Sequence, residues 1–217
     1  MNMTISIKTS WDDITWKEYE QIEQIINSDI PSDYKAIHLI SILTNKSTDE
    51  IEEIPVTEFR KLVTKLEFLY TQPKKRTHKM EYSINGRDYI FTGKVNDIST
   101  SQYIDYRSYI QEDNMDVVKL FSCFLVPKNH TYNDGYDIEQ VWSDINDMCW
   151  LDVDAASFFF KIQYAAYILT SKSSLLKTMK KEKLPKKQIK EVEESLNNMA
   201  YSLLSSESVP KALLRLI

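Results

Sequence analysis

Chemistry in this chain has to be sought among three histidines, two cysteines, an acidic stretch and a run of lysines. His38, His78 and His130 stand far apart, and none has a cysteine or carboxylate at metal-ligand spacing. Leu39 after His38 breaks the H-E-x-x-H pattern that sets two histidines and a base on one helix face. No metal site and no cofactor are expected from them. Asp144, Asp147, Asp152 and Asp154 crowd around Trp150 without the central glycine on which a calcium loop turns. Their expected work is capping at a junction of two helices. Cys123 and Cys149 lie 26 residues apart in segments of helical spacing, and are expected as core or free thiols rather than as a disulfide.

The strongest charge feature is late in the chain. Lys172, Lys177, Lys180, Lys181, Lys183, Lys186, Lys187 and Lys190 are accompanied by a single acid, Glu182, so this stretch carries +7 within a chain of net charge −5 and leaves −12 for the rest. Such a cluster can neutralise phosphates in a salt-dependent way. It contains no arginine, the side chain whose planar fork suits bidentate recognition of phosphate and base edges. A solvated turn between two helices, or an electrostatic contact with an acidic partner chain, is therefore expected ahead of DNA binding. The candidate contact residues are Lys177, Lys180, Lys181, Lys183, Lys186, Lys187 and Lys190.

Only three glycines are present, Gly86, Gly93 and Gly135. A dinucleotide fingerprint or a phosphate-binding P-loop needs glycines at fixed close spacing, and a nucleophile elbow needs two flanking a serine. None of these patterns fits, and no enzymatic activity is expected. No run of 18 apolar residues exists to span a membrane, and Met1-Asn-Met-Thr-Ile-Ser-Ile7 shows no basic region followed by an apolar core, so neither a span nor a signal peptide is read.

The elements that must position these groups are mostly helical. Thr15 with Glu18 forms a capping box, after which Trp16, Tyr19, Ile22, Ile25 and Ile26 fall on one face. A second helix after Pro31-Ser32 carries Tyr34, Ile37, Ile40 and Leu43 inward, Ser47 with Glu50 opens a third, and a fourth from about 56 to 70 buries Phe59, Leu62, Val63, Leu66 and Leu69. The period then changes. Between Lys79 and Thr92 the chain alternates about Asn85-Gly86, whose two positions favour the positive φ of a tight hairpin, so Tyr82 faces Tyr89 and Met80 faces Phe91. Downstream, Ser99 with Gln102 caps a helix bearing Tyr103, Tyr106, Tyr109 and Ile110. Asn114 caps another that buries Val117, Val118, Phe121, Phe124 and Leu125 and stops at Pro127, and Asp137 caps a third. A long helix runs from about 154 to 181, and Pro185 opens the last one.

The expected fold is mainly α, a multi-helix body with one inserted β-hairpin at about residues 79–92. It comprises an N-terminal helical unit (1–77), the hairpin (78–93) and a C-terminal helical unit (94–217), all in one compact assembly. A lone hairpin is marginal in water and must lie on helices or add to strands of another chain. Tyr82, Ile84, Asn85, Gly86, Tyr89 and Phe91 are therefore candidate contacts with a neighbouring subunit, with packing on the chain's own helices as the alternative. The apolar Leu213, Leu214, Leu216 and Ile217 are candidate contacts of the same kind.

The ordered segments Trp11-Asp-Asp-Ile-Thr-Trp-Lys-Glu-Tyr19, Ile40-Ser-Ile-Leu-Thr44, Asp49-Glu-Ile-Glu-Glu-Ile-Pro55 with Glu58-Phe59, Tyr82-Ser-Ile-Asn-Gly-Arg-Asp-Tyr89, Asp97-Ile-Ser-Thr-Ser-Gln-Tyr-Ile-Asp105, Leu125-Val-Pro127 and Tyr132-Asn-Asp-Gly-Tyr-Asp137 carry a further indication. Over roughly residues 10 to 170 the chain resembles the tail-assembly-chaperone-like and virion-associated structural proteins of tailed phages, including crAss-like phages of gut Bacteroidetes. The resemblance implies a non-enzymatic protein, made in the host cytoplasm, that binds other phage structural proteins of the tail, neck or portal region. It either chaperones assembly and is absent from the mature virion, or remains there, as in a homo-oligomeric ring at the head–tail connection. No catalytic residues carry over. The lysine-rich segment and the last helix fall outside the resemblance, and through them a nucleic-acid-binding module is the alternative function.

Overall fold

The computed structural model describes residues 5–92, 98–111, 116–132 and 134–204 and is 63% helical, with one small antiparallel sheet. A mainly α fold with an inserted β-hairpin is what forms. The chain divides into two compact units, one of residues 1–93 with 97–156 and one of 94–96 with 157–217. The last of these divisions falls inside a helix, after Ala156.

The first unit opens with a 3-10 turn, Trp11–Asp13, followed by α1 (Trp16–Asn27), α2 (Ser32–Thr44), α3 (Thr48–Glu52) and α4 (Val56–Lys65). Both N-terminal capping boxes form, Thr15 with Glu18 and Ser47 with Glu50, each satisfying two backbone N–H groups that the first helical turn leaves without partners. Asn45 ends α2 in the left-handed conformation at φ 53°, which its short polar side chain tolerates.

Two helical expectations need correction. Tyr34 is exposed, whereas Leu39, Ile40 and Leu43 are buried. The reason is geometric: at 3.6 residues per turn, steps of three drift around the helix, so Tyr34 and Leu43 end on opposite sides. The fourth helix also does not run unbroken to Tyr70. It tightens into a 3-10 helix at Leu66–Tyr70; Leu62, Leu66 and Leu69 are buried, and Val63 faces out.

The hairpin is β1 (Glu81–Ile84) and β2 (Arg87–Phe91), in the expected register with Tyr82 opposite Tyr89. Asn85 and Gly86 take φ of 50° and 76° at the turn. Phe91 N–H donates to the Met80 carbonyl at 2.8 Å, continuing the ladder. The sheet has a third strand that the periodicity did not reveal, β3 (Leu125–Pro127), paired antiparallel to β2 with Phe91 opposite Leu125. After α5 (Thr100–Gln111), α6 therefore ends at Ser122 and does not continue through Phe124 and Leu125. Asp116 caps α6, accepting from the N–H groups of Val118 and Lys119; Asn114, the residue expected there, lies outside the described residues. Proline at 127 disfavours helix just before it, and β2 offers Leu125 and Val126 an unpaired edge.

α7 (Ile138–Asp147) begins at its expected Asp137 cap. A short extended junction separates it from α8 (Trp150–Lys181), which starts four residues earlier than the sequence suggests. At that junction Cys149 bridges Thr15, Trp16 N–H donates to the Met148 carbonyl and Trp150 N–H donates to the Ile14 carbonyl, so the starts of α1 and α8 are tied together. Residues 150–156, the first two turns of α8, belong to the first unit; the remainder of α8 and α9 (Lys186–Leu204) belong to the second. In that unit Lys172 of α8 reaches Asn197 and Glu193 of α9, at 2.8 and 3.2 Å.

Candidate interaction surfaces

The buried faces of β1 and β2 decide what the hairpin residues do. Tyr82, Ile84, Tyr89 and Phe91 are all buried, and Phe91 and Tyr82 meet Phe121 of α6 in tilted and edge-on ring contacts. Between the two readings of the hairpin, this is packing on the chain's own helices. Those four side chains are committed to the core and are not presented to a neighbour. Asn85 and Gly86 lie at the exposed turn tip, and Asn85 is itself engaged, donating to Asp144 at 3.1 Å and Asp147 at 2.9 Å.

Asp144 is the centre of this arrangement. It is fully buried on α7 and accepts from Arg87 Nε at 2.6 Å, Arg87 Nη2 at 2.5 Å, the Tyr89 hydroxyl, Asn85 and Gln140. Burial alone would raise its pKa. The donors from Arg87, Tyr89 and Asn85 outweigh that and bring the carboxyl down to about 2. Burial and the same contact push the Tyr89 hydroxyl up to about 12. The carboxylate is saturated with hydrogen bonds, so it has no lone pair directed at a substrate; it fastens the hairpin to α7. The expected capping role is therefore corrected for Asp144. For Asp152 as well, the side chain pairs with Arg76 at 3.1 Å and Lys79 at 3.0 Å, and Arg76 also pairs with Asp12.

Two further clusters are structural in the same sense. The Tyr132 hydroxyl donates to Asp105 at 2.7 Å, and burial followed by this bond raises its pKa. Cys123 beside it is buried, with its thiol pushed up to about 12 by desolvation, so it is a protonated core side chain. Both cysteines are free. Trp11 packs edge-on against Phe68 and Trp150, while Tyr19 stacks on Trp150 with centroids 4.3 Å apart and planes within 4°.

A groove of about 1180 Å³ runs beside α1 and the end of α2. It contains Lys8, Glu18, His38 and Asn45, but Lys8 is already closed on both oxygens of Glu18 at 2.7 Å, and Glu18 completes the capping box of α1. No group of three His, Cys, Asp or Glu side chains suited to a metal occurs among the described residues. Nor is any helix among them long and apolar enough to cross a membrane.

The lysine segment lies in the second unit. It occupies the last turns of α8, the turn at 182–185 and the first turns of α9. Lys177, Lys180, Lys181, Lys183, Lys186, Lys187 and Lys190 are all exposed. Lys187 and Lys190 meet Glu191 and Glu194 one turn on, at 3.9 and 3.5 Å. Lys177, Lys180, Lys181, Lys183 and Lys186 have no ion pair within 4 Å among the described residues. Lysines near the end of α8 suit its dipole, but Lys186 and Lys187 open α9 with no acid in its first turn, against the dipole. Leu213, Leu214, Leu216 and Ile217 lie outside the described residues.

Arg87 and Asp144 were not singled out as partners by the sequence. One signal was available: Asp144 stands inside an apolar helical stripe with Val141, Ile145 and Met148, where a carboxylate requires a partner. No family model matches the chain, and neither a curated protein nor a solved structure matches it.

Proposed function

We propose that the chain is a non-enzymatic component of tailed-phage assembly, acting by protein–protein contacts in the tail or head–tail region and present there as a homo-oligomer. The observation that carries this reading is the fate of the chain's chemistry-bearing groups. Asp144, Asp152, Asp105 and Tyr132 are spent on holding elements together and Cys123 is buried, while the uncompensated charge is displayed on the outside, in the exposed lysines of α8 and α9. That distribution suits a binding body. The resemblance to tail-assembly-chaperone-like proteins adds the kind of partner, and its segments coincide with parts that brace the first unit: the capping box of α1, the hairpin, β3 and the Asp137 cap.

The test is quantitative mass spectrometry of purified particles and of assembly intermediates. Stoichiometric presence in mature particles, at about 6 or 12 copies as a closed ring would give, supports a structural component. Presence in intermediates alone supports the chaperone. Absence from both overturns the reading.

A further inference from the structure

Three of the unpaired lysines share one helix face. Lys177, Lys180 and Lys181 of α8 stand at i, i+3 and i+4, the spacing that makes side chains neighbours on a helix. Like charges so placed repel and weaken their own helix. The first unit carries the mirror of this pattern. Asp49 and Glu52 of α3, with Glu53 at its C-cap, also stand at i, i+3 and i+4, all exposed, and none has an ion pair within 4 Å among the described residues. The neighbouring acids Glu50 and Glu58 are by contrast already paired, with Lys46 and Lys61. Glu52 and Glu53 also sit at the negative end of α3, so the acidic surface holds charge that its own helix disfavours.

We propose that the Lys177–Lys180–Lys181 face of α8 docks on the Asp49–Glu52–Glu53 face of α3 in a second copy of the chain. This rests on the homo-oligomeric reading above and names its interface. The two faces are opposite in sign and match in number of charges and in spacing along a helix, and each supplies the counter-charge the other lacks. Because the two faces are different surfaces of one chain, the contact is heterologous, and repetition closes a ring or extends a filament. Lys183 and Lys186, also unpaired, add to the positive field that brings the copies together.

Sedimentation equilibrium of the full chain tests this with two charge reversals, Lys177, Lys180 and Lys181→Glu in one variant and Asp49, Glu52 and Glu53→Lys in the other. The natural chain should self-associate, with the association constant falling about tenfold or more as salt rises from about 50 to about 300 mM, as expected of an exposed ionic contact. Each reversed variant alone should lose association, since like charges then face each other. A one-to-one mixture of the two variants should recover it, because every contact is again between opposite charges. That recovery also shows that both variants are folded. A chain that stays monomeric at low salt overturns the proposal, as does a mixture that does not recover, or an acid reversal without effect. Retention on duplex DNA that the lysine reversal abolishes while self-association is untouched overturns it in favour of a polyanion partner. The outcome is separable from that for the function: salt-sensitive association in a chain missing from particles and intermediates sinks the assembly reading alone, and a monomeric chain found in particles sinks this interface alone.

Discussion

Arg87 and Asp144, 57 residues apart, meet in a two-pronged contact, Nε to Oδ2 at 2.6 Å and Nη2 to Oδ1 at 2.5 Å. One end of the pair is half-exposed and the other wholly buried. The contact joins the second strand of the hairpin to α7, so the hairpin is fixed at its turn end by charge and along its inner face by aromatic packing. Such a charge-assisted, planar pairing fixes orientation as well as distance.

The low pKa of Asp144 has a definite consequence for acid stability. Its folded value of about 2 lies below the ordinary carboxylate value of 3.8. The unfolded chain therefore binds the proton more readily, and stability rises with pH across that window. The contribution is complete above the unfolded pKa and is lost as pH falls through about 2. Denaturant unfolding at a series of pH values between about 5 and about 2 should show a steeper loss for the natural chain than for Asp144→Asn. Parallel curves would remove Asp144 from this role.

Tyr89→Phe deletes one donor to the same buried carboxylate and leaves the ring in place. The expected cost is about 1–3 kcal/mol, that of a buried acceptor deprived of a partner. Equilibrium unfolding measures it. Together with Arg87→Ala in a double-mutant cycle, the effects should not add, because both groups act on one carboxylate. Simple additivity would mean that the two donors act independently.

Gly86 has φ of 76° and nothing within 4 Å of where a Cβ would stand. Gly86→Ala should therefore cost only the conformational penalty, about 1–2 kcal/mol, without a clash. Gly135→Ala, at φ of 70° and with equal space, serves as the control in a loop. A thermal shift for Gly86→Ala no larger than that of an exposed surface substitution would indicate that the turn relaxes to another type.

The two thiols should differ in reactivity. Cys123 is buried with its pKa pushed to about 12, and Cys149 is partly accessible. Under native conditions a disulfide reagent at about pH 8 should modify Cys149 at least about tenfold faster than Cys123, since burial keeps the Cys123 thiol protonated and out of reach. Equal rates, followed by peptide mapping, would show that the region around Cys123 opens readily.

Local signals were the legible part of this chain. Thr15 with Glu18, Ser47 with Glu50 and Ser99 with Gln102 all form their reciprocal caps, because each depends on residues three positions apart. Asn85-Gly86 likewise set the hairpin register. Where the expectation failed, distant partners intervened. Leu125 continued a helical spacing from Val117, yet it pairs with Phe91, more than thirty residues earlier. Tyr34 looked apolar and well spaced, but the face of α2 that turns inward is chosen by what α1 and α3 cover. The lysine cluster was visible from composition. That five of its members form no ion pair within 4 Å among the described residues, and that Lys177, Lys180 and Lys181 share the spacing of Asp49, Glu52 and Glu53, depended on placing both segments on helices.

Sequence by itself determined the helical character, the hairpin and its turn, and the segregation of a +7 segment within a −5 chain, since these follow from propensity, from periods of two and 3.6 residues, and from counting charges. Only the tertiary structure decided that the aromatic face of the hairpin is spent internally, that β2 gains a third strand, and that Asp144 is a buried clamp rather than a helix cap. The physical reason is that a buried carboxylate and an unpaired strand edge are each too costly to leave alone, and the groups that satisfy them come from wherever the fold brings them.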